Sequence, residues 1–121
     1  MYTLVTEREI DAAHFLPNYE GKCNNLHGHR WKIKVEVCSD ILTSQGFVID
    51  FVKVKEIIDR FDHQLLNEHL KDEPPTAENI ASTIYWDLNE EMIKLGTQAW
   101  VKKITVWETA NNCIEYDGET A

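Results

Sequence analysis

From His27 to Val37 the chain alternates without interruption: His27, His29, Trp31, Ile33, Val35 and Val37 hold the odd positions, and Arg30, Lys32, Lys34 and Glu36 hold even ones. A repeat of two belongs to a β-strand and does not fit the 3.6-residue repeat of a helix. One face of such a strand is apolar and the other charged, so the sheet that contains it is covered on one side. The histidines start the apolar face. A His-x-His pair on one side of a strand can offer two imidazole lone pairs to a single divalent metal.

The stretch Leu4 to Phe15 also has strand chemistry and sets Ile10, Ala12 and His14 on one parity. The turn formers Pro17, Asn18 and Gly21 follow, so the two strands form an antiparallel pair that can bring His14 beside His27 and His29. A short extended piece is expected at Phe47-Val48-Ile49. Asp50 then caps a helix ending near Arg60, with Phe51, Val54, Ile57, Ile58 and Phe61 on one face. Beyond Asp62-His63 and Leu65-Leu66-Asn67 the chain reads as irregular as far as Pro74-Pro75. Thr76 caps a second helix carrying Ile80, Ile84, Leu88, Met92 and Leu95 at helical spacing, and Gly96 stops it. Trp100 to Glu108 and Cys113 to Tyr116 return to strand patterns. The order is ββααββ, an α+β arrangement.

Composition narrows what such a domain can serve. With 121 residues and 43% hydrophobic content there is material for one core, hence a single domain over residues 1–121. The 12 basic and 21 acidic residues give a net charge of -9, which opposes binding to nucleic acid or an anionic membrane. No apolar run reaches spanning length and Met1-Tyr2-Thr3-Leu4 lacks signal-peptide character, so a cytoplasmic location is expected. Cys23, Cys38 and Cys113 have no staple-like rhythm and are expected to be free thiols.

Three neutral histidines would leave a zinc ion its full double charge and one open position, the pattern of a catalytic site. Cys23, four residues before His27, fits either a base or nucleophile near that metal or the fourth ligand of a closed structural site. The second option describes a non-catalytic zinc-binding interaction module. Asp62-His63 fits a helix C-terminus, where the dipole favours histidine. Glu108 shares the parity of Ile104 and Val106, where a carboxylate is expensive to bury without partners. A cleft that receives a ligand with N–H donors would supply them. Thr76 is explained as a cap, and Trp31, Trp86, Trp100 and Trp107 as core or subunit contacts.

Taken together, Ala12-Ala13-His14, Cys23-x-x-x-His27-Gly28-His29, Asp62-His63 with Asn67, Pro75-Thr76-Ala77-Glu78-Asn79 and Glu108 resemble the 6-pyruvoyltetrahydropterin synthase family. The three residues between Cys23 and His27 are similar to its 6-carboxy-5,6,7,8-tetrahydropterin synthase branch, of the queuosine pathway. The resemblance implies the tunnelling fold, a four-stranded antiparallel sheet with two helices on one face, joined into trimers or hexamers. It implies Zn2+ held by His14, His27 and His29, catalysis by Cys23, Asp62 and His63, and substrate contacts from Glu108 and Thr76. The implied reaction is a lyase step from 7,8-dihydroneopterin triphosphate to 6-carboxy-5,6,7,8-tetrahydropterin, acetaldehyde and triphosphate. The alternative within the family eliminates triphosphate and retains the side chain. Two departures stand out: Phe61 replaces a frequent leucine, and Ala77 replaces a second threonine of some relatives.

The same resemblance places the charged face with Arg30, Lys32 and Lys34 inside a barrel. It also has the pocket around Glu108 drawing on a neighbouring chain.

Overall fold

The structure, a computed structural model, describes residues 1–119. Strand β1 (Tyr2–His14) pairs antiparallel with β2 (His27–Ser39), β2 with β3 (Trp100–Thr109), and β3 with β4 (Asn112–Tyr116). Sheet order equals chain order. The alternation in β2 does what its parity requires: Trp31, Ile33, Val35 and Val37 are buried, and Arg30, Lys32 and Lys34 occupy the opposite face. Glu7, Glu9 and Asp11 of β1 meet these cations on the open face, with Arg30 paired to Glu9 and Asp11 and Lys32 paired to Glu7. Opposite charges across neighbouring strands fix the register that burial already selects.

Helices α1 (Phe51–Asp59) and α3 (Ala77–Leu95) cover the apolar face. Asp50 caps α1 by accepting the Val52 N–H at 2.9 Å. Thr76 caps α3 through Asn79 N–H at 3.2 Å, and Gly96 ends it in the left-handed region at φ 69°. Ile80, Ile84, Leu88 and Met92 of α3 join Val54 and Ile58 of α1 and the apolar row of β2 in one core. No helix among the described residues is long and apolar enough to cross a membrane.

Three local expectations need correction. Phe47-Val48-Ile49 is not a strand; it follows a turn, and Ile49 alone is buried there. Phe51 stands 49% exposed at the first turn of α1, so the buried face runs through Val54, Ile58 and Phe61. The stretch read as irregular contains α2 (Leu66–His69), a single turn anchored by buried Leu66 and too short to show a helical period. Of the tryptophans, Trp31 is core at 1% exposure, while Trp86 and Trp100 are 49% and 42% exposed. Phe61 is buried with the Arg60 guanidinium over its ring.

Candidate functional site

The β1–β2 register sets His14 directly opposite His27 and Ala12 opposite His29. The three histidines therefore converge at one end of the apolar face, with their ligand-capable atoms all within 4.8 Å of one another. Trp31, the next residue on that face, stands edge-on to His14 and His29 at centroid distances of 5.0 and 5.4 Å. Its indole N–H donates to the Ala12 carbonyl, which fixes this wall of the site.

The ring orientations are set by backbone carbonyls. His14 Nδ1 lies 2.8 Å from the Pro75 carbonyl and His27 Nδ1 lies 2.7 Å from the Asn25 carbonyl. A carbonyl oxygen can only accept, so both Nδ1 atoms donate and both Nε2 atoms carry lone pairs. Those two Nε2 atoms face each other at 3.0 Å. Two lone pairs at that distance repel unless a cation lies between them, and two ligands at ~2.1 Å from one zinc ion are roughly 3.4 Å apart in a tetrahedron. Among the described residues His29 Nε2 is buried with no hydrogen-bond partner, and Glu108 Oε1 stands 3.8 Å away. Burial pushes the His29 pKa down, the proximity of His14 and His27 adds to that, and Glu108 opposes it. A neutral imidazole with an orphaned nitrogen is what a divalent cation requires. The donor set fits zinc. Among the described residues Cys23 is not part of this group.

Asp62 and His63 lie just after α1, beside β1. The Asp11 N–H donates to Asp62 Oδ1 at 2.9 Å, and Asp62 Oδ2 sits 3.1 Å from His63 Nδ1. The Asp11 N–H holds the Asp62 pKa below the usual carboxylate range, with His63 adding to it against a smaller desolvation effect. His63 adopts φ 59°, rare for a residue with a side chain, and its N–H donates to the Asp11 carbonyl at 2.6 Å. This conformation projects the imidazole outward, with the side chain 77% exposed. An open cleft of about 600 Å³ runs between the two groups and is lined by Asp11, Gly28, His29, Arg30, His63 and Leu65.

Cys23 lies half-buried in a 3-10 turn, Lys22–Asn24, in the loop between β1 and β2. Its carbonyl accepts the Leu16 N–H at 2.8 Å, which holds the loop closed. Among the described residues its thiol makes no hydrogen bond to His63. Glu108 is a third exposed and belongs, within one chain, to the edge of the histidine group. Thr76, besides capping α3, borders an apolar recess of about 250 Å³ with Leu16, Pro17, Tyr19 and Pro74.

Sequence reasoning did not assign the groups that orient these side chains. The carbonyls of Asn25 and Pro75 leave no mark in residue type. Asn67 was visible as part of a motif but without a role; it binds the Phe15 backbone through both ends of its amide.

A family described as 6-pyruvoyl tetrahydropterin synthase matches residues 3–119. A protein of Synechocystis sp. named 6-carboxy-5,6,7,8-tetrahydropterin synthase is 35% identical, covering 96% of this chain and 93% of its own. One of the same name from Bacillus subtilis is 31% identical over 95% and 84%. The solved structure of Caenorhabditis elegans 6-pyruvoyl tetrahydropterin synthase superposes with a TM-score of 0.74 at 29% identity, covering 98% of each chain.

Proposed function

The chain belongs to the 6-pyruvoyl tetrahydropterin synthase family, and on that premise we propose that it is a zinc-dependent 6-carboxy-5,6,7,8-tetrahydropterin synthase. It converts 7,8-dihydroneopterin triphosphate to 6-carboxy-5,6,7,8-tetrahydropterin, acetaldehyde and triphosphate, a cytoplasmic step toward queuosine precursors. The similarity to relatives of that name supports the product. The observation that carries the metal requirement is the pair of Nε2 lone pairs held face to face at 3.0 Å by carbonyls behind each ring.

When bound by His14, His27 and His29, zinc supplies Lewis acidity toward the oxygens of the substrate side chain. Cys23 takes the proton from the adjacent carbon. His63 draws the thiol toward thiolate, and Asp62 fixes the imidazole tautomer and balances its charge. Glu108 accepts hydrogen bonds from the 2-amino group and ring N–H of the pterin, which a carboxylate matches with two oxygens. The Thr76 hydroxyl adds a further contact to the substrate. Because His63 projects outward and Cys23 does not reach it within one chain, the reading pairs Cys23 of one copy with the Asp62–His63 pair of another. Glu108, in contrast, serves the histidines of its own chain.

The test is a single incubation with 7,8-dihydroneopterin triphosphate. Acetaldehyde together with a 6-carboxy product by mass spectrometry is the expected result. Release of triphosphate with a retained three-carbon side chain would reassign the chain to the pyruvoyl reaction.

A further inference from the structure

In an antiparallel strand, successive residues turn their N–H and C=O groups to opposite sides. At the His14 end of β1 the odd residues face away from β2, and at three successive odd positions one short segment, residues 62–67, takes those groups. Asp11 bonds Asp62 and His63, as described. Ala13 donates its N–H to the Gln64 carbonyl at 3.1 Å and forms a parallel bridge to Leu65. Phe15 lies past the last β1–β2 pair, and both of its backbone groups go to one side chain. Its N–H donates to Asn67 Oδ1 at 3.1 Å, and its C=O accepts from Asn67 Nδ2 at 2.9 Å.

A carboxamide sets a donor beside an acceptor as a peptide group does, so Asn67 replaces the strand residue that would otherwise stand there. His14 lies between Ala13 and Phe15. Its side-chain direction follows from the backbone on either side, because a strand residue projects along a line set by its neighbours' peptide planes. The ring of His14 is held at Nδ1 by Pro75, but that contact orients the ring and leaves the position of its Cα to the backbone.

We propose that Asn67 is a positioning residue of the histidine centre: by clamping the peptide groups of Phe15 it fixes His14 relative to His27 and His29. The role rests on the metal reading above. It acts through the backbone, since the contacts of Asn67 are with Phe15 and not with an imidazole. The same segment carries Asp62 and His63, so the clamp also sets the spacing between that pair and the histidines. Other side chains fail for separate reasons. Aspartate lacks the donor, leucine lacks both groups, and glutamine is a methylene too long for a two-point fit.

The experiment is zinc titration of the full chain against a chromophoric chelator, with the visible spectrum of the cobalt form as a report on ligand geometry. The parent protein should bind one ion per chain. Asn67→Ala should weaken zinc by about ten- to a hundredfold, the range for groups that orient metal ligands, and should alter the cobalt band. Asn67→Asp keeps an acceptor at the same place for the Phe15 N–H and should recover part of the affinity. Val54→Ala, in the core on α1, should lower the melting temperature while leaving affinity and spectrum unchanged. If Asn67→Ala does not fold, the comparison of Asn67→Asp with Val54→Ala decides. Folded Asn67 variants with parental affinity and spectrum would overturn the positioning role and leave the metal reading intact. A parent that binds no zinc would overturn both.

Discussion

At His14 and His27 the chain confines two lone pairs 3.0 Å apart, and the substitutions that matter most follow from that. His27→Ala should remove zinc and activity together, measured as metal content per chain and as acetaldehyde formed; stoichiometric zinc in alanine variants of His14, His27 and His29 alike would sink the site. Metal should also leave as pH falls through the histidine range, because the ligands bind only when neutral. Cys23 stands apart from the three histidines, so Cys23→Ala should keep its zinc while losing about a hundredfold or more in rate. Asp62 gives a separate pH signature. Its folded pKa is depressed, so its stabilisation is full above the pKa of the unfolded chain and is lost as pH falls through the folded value. The melting-temperature gap between the parent and Asp62→Asn should therefore be constant near neutrality and close in acid. At this scale residue type and parity picked out the three histidines that the structure brings together, and none of the backbone that aims them. His14, His27 and His29 are legible because residue type and parity carry the signal. The Asn25 and Pro75 carbonyls are not, because every residue has one.

Among the elements, α3 carries the largest share of the covering face, and its ends are defined by residues whose roles can be separated. Thr76→Ala should cost about 1 kcal/mol in urea unfolding through loss of the cap, and Thr76→Ser should restore it. Ile84→Ala, at a fully buried position, should cost roughly 2–5 kcal/mol. If Thr76→Ser restores stability but not the KM of the parent, the threonine methyl has a part in substrate binding beyond capping. The long elements were legible because each repeats its period several times: β2 through Trp31, Ile33, Val35 and Val37, α3 through Ile80, Ile84, Leu88 and Met92. The short ones were not. Phe47-Val48-Ile49 has β-strand residue types but no strand to pair with, and α2 ends before a period can show. Phe51 fits the helical spacing of α1 yet lies at its first turn, beyond the reach of the sheet.

For the whole molecule, an open four-stranded sheet leaves, among the described residues, backbone groups unpaired along β4 and the Thr3 to Glu9 part of β1, a liability that a symmetric ring of copies would remove. Sedimentation should therefore give a trimer or a hexamer, and a fully active monomer would refute the assembly. Mixing Cys23→Ala chains with His63→Ala chains should restore part of the activity that each lacks alone, since an intact cysteine of one copy can then meet an intact histidine of another. The segment that binds the outer edge of β1 also limits how far such a ring can zip together. Odd positions from Asp11 onward are already taken, so an added strand can run beside Thr3 to Glu9 and must stop there. In such a ring the seam between copies would end short of His14, beside the cleft lined by His29 and His63. The proposed pterin triphosphate would then enter through that cleft without the ring having to come apart.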